Sequence, residues 1–153
     1  MGGREVASKV SDMSWQMLAV ISALAAGATS VLAKVGLEDV PSNLANAVRT
    51  AIVLVLSIGV VLFTGEHKVA TTKLDGHAWL YLTLSGVATS VSWIAYFKAL
   101  ELGSATPVTA IDKASLVVTW VLSVAFLGEA IGWRAGLGVG MVCVGAFLMS
   151  GQK

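Results

Sequence analysis

Long runs without a charge dominate the chain, separated by short polar breaks. Met13 to Ala33 (MSWQMLAVISALAAGATSVLA) carries no charged side chain. At about 1.5 Å per residue that run is long enough to cross the roughly 30 Å hydrocarbon core of a bilayer as a helix. Gly36 to Asn43 then supplies glycine, a charge pair, proline and a good N-cap residue, which predicts a tight turn. A second helix follows from about Leu44 to Phe63, interrupted near its start by one charge, Arg49. Thr64 to Asp75 (TGEHKVATTKLD) returns to water as the longest polar loop, and Trp79 and Tyr81 beyond it have the character of interface anchors. Ala78 to Leu100 predicts the third helix. Gly103-Ser104-Ala105-Thr106-Pro107 breaks the pattern and puts proline where the first turn of a new helix tolerates it. That fourth helix extends to about Leu127, Gly128 to Arg134 forms a short loop, and Ala135 to Met149 completes a fifth. The runs are too long, and alternate too little, for the strands of a membrane barrel.

Composition agrees with that pattern. The 153 residues are 56% hydrophobic and 12% charged, with mean hydropathy +0.83, about half the charge of an ordinary soluble domain. The expected fold is an all-α integral membrane protein, a five-transmembrane-helix bundle. It forms one domain over 13–150, with a cytoplasmic or interfacial segment over 1–12 and a short tail over 151–153. Ala23-Leu24-Ala25 resembles a signal-peptide cleavage site, but the apolar run continues to Ala33, so the first helix is expected to be retained. A net charge of +1 gives no footprint for nucleic acid. Cys143 is the single cysteine, and no Cys/His cluster has metal-ligand spacing, so neither metal nor cofactor is expected.

Ionisable residues near the ends of apolar runs are where chemistry is expected, because an unpaired charge in lipid costs several kcal/mol. Lys34, Arg49, Lys98, Asp112 and Lys113 all fall toward one face of the membrane under up-down threading. For Lys34 and Lys98, snorkelling to the interface is the simpler reading. For Asp112 and Lys113, a buried ion pair stands beside a functional role. Helical spacing adds three polar stripes: Ser85, Thr89, Ser92 and Tyr96 on helix three; Thr109, Asp112, Ser115 and Thr119 on helix four; Asn46, Thr50 and Ser57 beside Arg49 on helix two. They read either as hydrogen-bonding glue between helices or as the lining of a solute path. Trp93 and Tyr96 offer a flat aromatic wall with a polar handle, or ordinary interface anchoring. Gly132, Gly136 and Gly140 recur every four residues and mark a helix contact, within one chain or between two. His67 and His77 fall in loops without an evident partner.

Five segments in order carry a family resemblance: Ala33-Lys34-Val35-Gly36-Leu37, Asn46-Ala47-Val48-Arg49-Thr50, Ser85-Gly86 with Ser92-Trp93-Ile94-Ala95-Tyr96-Phe97-Lys98-Ala99-Leu100, Ile111-Asp112-Lys113-Ala114-Ser115, and Ala125-Phe126-Leu127-Gly128-Glu129. They resemble the EamA-type drug/metabolite transporter superfamily in its single-domain, five-helix bacterial and archaeal members. The resemblance implies one EamA-like repeat that exports or exchanges small metabolites, and larger relatives with two such units in inverted orientation. One feature departs from the related small multidrug exporters, which place an acid in the first helix. None stands here, which disfavours proton-coupled export of cationic drugs by that chemistry.

The functional expectation is a secondary transporter in the inner or plasma membrane. It moves a small polar metabolite, amino-acid-like or an organic anion, by alternating access. Asn46, Arg49, Trp93, Tyr96, Asp112, Lys113, Ser115 and Thr119 are the candidate substrate residues, with Asp112 in coupling. The surplus of Lys34, Arg49 and Lys98 favours an anionic or zwitterionic solute. The alternative is a non-transporting membrane subunit that binds a partner through helix faces. An intramembrane enzyme lacks any catalytic constellation in the spans, so no enzyme activity is expected. The expected partners are the solute, the lipid bilayer and a second copy of the chain.

An odd number of spans inverts any following unit, and the positive charges are balanced. Arg4, Lys9, Lys68, Lys73 and Arg134 fall on one face; Lys34, Arg49, Lys98, Lys113 and Lys153 fall on the other. The positive-inside rule therefore sets no preferred orientation. Reporters fused to the C-terminus are expected to register on both sides of the membrane; finding every C-terminus on one side rules out an antiparallel pair.

Overall fold

The computed structural model describes residues 13–130 and 132–151 of the chain, apart from the side chains of Ala70 and Thr71. The expected N-terminal segment over 1–12 and the last two tail residues lie outside the described residues. Five helical stretches long and apolar enough to cross a membrane account for most of the rest. They are α1 (Trp15–Gly36), α2 (Ser42–Thr64), α3 (Gly76–Leu102), a fourth span built from α4 (Ala105–Asp112) and α5 (Ser115–Leu122), and α6 (Trp133–Ser150).

Local chemistry sets the ends. Ser14 caps α1 by accepting a hydrogen bond from the Met17 amide at 3.4 Å. The chain turns through Leu37 to Val40 and re-enters at Ser42, with Pro41 at the cap position. Proline has no side-chain acceptor to cap α2, so the cap position does not fall on a good N-cap residue as this stretch led one to expect. Thr64 ends α2, and Gly65 takes the left-handed conformation at φ 79°, its amide donating to the Val61 carbonyl at 3.1 Å. The polar stretch beyond is not an irregular loop, because Glu66–Val69 forms a 3₁₀ turn and Ala70–Lys73 a turn of helix. Asp75 caps α3, its Oδ1 accepting from the Ala78 amide at 2.8 Å. His77 is therefore not a loop residue; it lies in the first turn of α3, its ring centroid 4.6 Å from that of Tyr81.

The chain divides into two compact units, Met1–Lys98 and Ala99–Lys153. In the first, Ser30 of α1, Leu37 just beyond it, Ser42 of α2 and Phe97 of α3 are buried. In the second, α4 packs on α6. The turn from α3 into α4 needs Gly103, since a β-carbon there would meet Val108 Cγ2 at 3.1 Å and the Ala99 carbonyl oxygen at 3.2 Å. The fourth span is not one regular helix. It breaks at Lys113–Ala114, resumes as α5, and closes in a π-helical turn over Ser123–Leu127.

At most 6% of the most apolar stretch of any span is buried inside the chain. Leu, Val, Ile and Phe side chains cover the exposed helix faces. Apolar surface on that scale is stable where lipid or another protein covers it, while the helix satisfies its own backbone polar groups.

Gly59 inside α2 and Gly65 at its C-terminal cap separate helix propensity from backbone strain. Gly65→Ala is expected to lower thermal stability in detergent by about 1 kcal/mol through the left-handed conformation. Gly59→Ala, inside the helix with open space at its β-carbon, is expected to raise stability by about 0.5–1 kcal/mol. Equal effects at both positions would show that the terminal conformation carries no strain.

Candidate functional site

Arg49 lies seven residues after Ser42, the first residue of α2, roughly 10 Å along the helix at 1.5 Å per residue. A permanently charged guanidinium at that depth needs compensation. Much of it comes from α3. The Arg49 guanidinium carbon lies 3.5 Å from the ring centroid of Trp93 and 5.9 Å from that of Phe97, a cation–π stack that contributes about 2 kcal/mol or more when desolvated. Among the described residues no acidic side chain pairs with Arg49. The charge is thus held by aromatic faces, and its five N–H donors are not committed to a carboxylate.

The wall behind Arg49 is built by helical spacing. Trp93, Tyr96 and Phe97 follow at intervals of three and four along α3. Trp93 meets Tyr96 edge-on at 5.8 Å between centroids and Phe97 at 6.0 Å. Phe97 is 2% exposed and anchors the group. Tyr96 reaches α1, where its hydroxyl donates to Ser30 Oγ at 2.7 Å, and Ser30 in turn donates to the Ala26 carbonyl at 3.1 Å. Three helices therefore meet through one aromatic cluster. Asn46, one turn before Arg49, has a buried Oδ1 without a hydrogen-bond partner among the described residues.

Beside this cluster, a cleft of about 650 Å³ runs between α1 and α2. Ala33, Ala45, Val48 and Ile52 form its sides, Phe97 closes part of it, and Arg49 contributes the charge. Thr29 also borders it, but its hydroxyl donates to the Ala25 carbonyl at 2.8 Å.

Asn46, Arg49, Trp93 and Tyr96, predicted from the sequence, all belong to the first unit, where Arg49, Trp93 and Tyr96 form the cluster. Asp112, Lys113, Ser115 and Thr119 belong to the second. There Lys113 Nζ lies 3.3 Å from Asp112 Oδ2, with the two side chains 50% and 36% exposed. The pair forms at the helix break but is not buried within the chain, which corrects the buried-pair reading. In the polar stripes, Tyr96 bonds across to α1 as interhelical glue, while three hydroxyls serve neither reading. Ser57, Thr89 and Thr119 donate to the carbonyls of Val53, Ser85 and Ser115 on their own helices, at 2.8, 2.8 and 3.1 Å. Those hydroxyl protons neither join two helices nor face a solute, as is common for Ser and Thr inside helices. Of the glycine series, Gly132 is the cap of α6, and a β-carbon at Gly136 would lie 3.8 Å from Trp120 Cζ2, while Gly140 faces open space.

Ser30 and Phe97 are partners the sequence reading passed over. A polar residue inside the uncharged first run was the signal for Ser30, and its position four residues after Trp93 was the signal for Phe97.

The chain is thus a polytopic helical membrane protein in which one span carries an arginine stacked on an aromatic wall. The chain belongs to the EamA-like transporter family, which matches residues 13–151. It is similar to an uncharacterized transporter in the cobO 3' region of Sinorhizobium sp, at 41% identity over 139 residues covering 91% of this chain and 98% of that protein. No solved structure matches it.

The link between α1 and α3 is measurable. In a double-mutant cycle on thermal unfolding in detergent, Ser30→Ala and Tyr96→Phe are expected to couple by about 0.6 kcal/mol, the typical value for an interhelical hydrogen bond in a membrane protein. Strict additivity would show that the two hydroxyls do not support one another.

Proposed function

We propose that this transporter exports or exchanges a small anionic or zwitterionic metabolite, an organic anion or an amino-acid-like solute. It does so across the inner or plasma membrane by alternating access, as an antiparallel homodimer. The observation that carries the reading is Arg49, stacked on Trp93 inside a membrane span with no acidic partner among the described residues. A structural arginine in lipid is ordinarily neutralised by an acid. One left with free donors on a rigid aromatic support is poised for an incoming carboxylate, which matches its planar fork in a bidentate pair.

Two-copy assembly draws on separate grounds. The apolar faces of all five spans are largely uncovered, positive charge is balanced between the two faces of the membrane, and an odd span number makes inverted pairing the natural route to a two-sided carrier. Asp112 is assigned to coupling. Its contact with Lys113 at the break in the fourth span gives a carboxylate whose pairing can change as the span moves.

Uptake of a mixed amino-acid and organic-acid pool into proteoliposomes is the test. Arg49→Gln is expected to reduce uptake about tenfold to a hundredfold, the equivalent of one charge-assisted hydrogen bond of about 1.5–3 kcal/mol. Asp112→Asn is expected to abolish dependence on an imposed proton gradient. Absence of uptake by the wild type under any gradient, with a second protein stably copurified, would favour the membrane-subunit alternative.

A further inference from the structure

A solute that is polar along its whole length does not fit the walls around Arg49. The cleft between α1 and α2 presents Ala33, Ala45, Val48 and Ile52, which offer no hydrogen bond, and the Thr29 hydroxyl proton is already held by the Ala25 carbonyl. A solute rich in hydroxyls would lose its water there without replacement. An alkylammonium would meet Arg49 with like charge and no acid to offset it. A compact inorganic anion would satisfy the guanidinium and leave the apolar walls without a partner. One chemistry remains complementary to the whole cleft.

We propose that the solute is an amphipathic monoanion, with its carboxylate head on Arg49 and its hydrocarbon body laid along the apolar cleft between α1 and α2. This rests on the transport reading and narrows its substrate class. The Trp93 ring covers one side of the guanidinium at 3.5 Å, and a carboxylate pairs with the N–H fork, not with that side. Arg49 borders the same cleft as Ile52, one turn further along α2, so a head held at Arg49 projects its chain along apolar side chains. The volume of about 650 Å³ lies within the range of small-molecule sites.

The experiment is calorimetric titration of the full chain in phosphatidylcholine nanodiscs, corrected against empty discs. The probes are butyrate, hexanoate and octanoate, with acetate, hexylamine and hexanol as controls. Affinity is expected to rise about fourfold per methylene along the carboxylate series, with hexylamine not bound. Arg49→Gln is expected to bring hexanoate down to the level of hexanol. Ala33→Phe, which fills the cleft, is expected to flatten the chain-length dependence; Ile52→Ala tests the same wall by removal and is expected to weaken octanoate more than butyrate. Acetate binding as tightly as octanoate, hexylamine matching hexanoate, or a series unchanged in Arg49→Gln overturns the proposal.

Two other occupants are tested in parallel. Loss of octanoate binding in discs containing phosphatidylglycerol would show that an acidic lipid fills the cleft. A change in cross-linked dimer with octanoate binding unaltered in Ala33→Phe would show that a second copy does. Either result overturns the proposal. The two readings fail separately. Arg49-dependent transport of polar amino acids that alkyl carboxylates do not inhibit keeps the transporter and removes the amphipathic solute. The predicted chain-length series without transport of any solute does the reverse.

Discussion

A guanidinium cannot shed its charge, so wherever Arg49 sits the surrounding helices must supply what water would have supplied. That constraint organises the first unit. Trp93 must lie across from it, Phe97 must be buried behind Trp93, and Tyr96 ties the same stretch of α3 to Ser30 of α1 at 2.7 Å. An aromatic face stabilises the cation without neutralising it. A carboxylate partner would have stabilised it more and consumed its hydrogen-bonding capacity. The chosen arrangement keeps the charge in place and leaves it available.

The rest of the polar inventory is spent differently. Ser57, Thr89, Ser90 and Thr119 each donate to a carbonyl one turn back on their own helix, so those spans can present a nearly apolar exterior in spite of their composition. Other polar groups of the spans are held for interaction instead, among them Arg49, the Tyr96–Ser30 bond and the Asp112–Lys113 pair.

The five spans were legible because length without charge is a nearly sufficient signal for a membrane helix; the observed ends fall within a few residues of those expected. Arg49, Trp93 and Tyr96 were legible as well, since a charge in an apolar run and aromatics at helical spacing stand out against it. What could not be read was partner choice. A stripe such as Ser85, Thr89, Ser92 and Tyr96 has one periodicity whether its hydroxyls bond their own helix, another helix or a solute, and only side-chain geometry decides. Ser30 was hidden for the complementary reason: its importance comes from Tyr96, 66 positions away. The break at Lys113–Ala114 carries no proline or glycine, so no local residue announced it.

That break bears on how a carrier of this size can move. α1 and α2 are continuous over 22 and 23 residues, and rigid helices transmit motion but do not absorb it. The fourth span departs from α-helical hydrogen bonding twice: it tightens after Asp112, where the Ala114 amide donates to the Ile111 carbonyl at 2.9 Å, and it widens in the π-helical turn over Ser123–Leu127. Interruptions of this kind are where a helix bends or shifts register at low cost. In the transport cycle proposed above, the fixed cation of the first unit is the part that holds the solute, and the segmented fourth span is the part that changes shape. Asp112 stands at the first of these departures with Lys113 Nζ 3.3 Å from its Oδ2, and in the proposed cycle that is the reason for giving coupling to it and not to Arg49, whose charge no accessible pH removes.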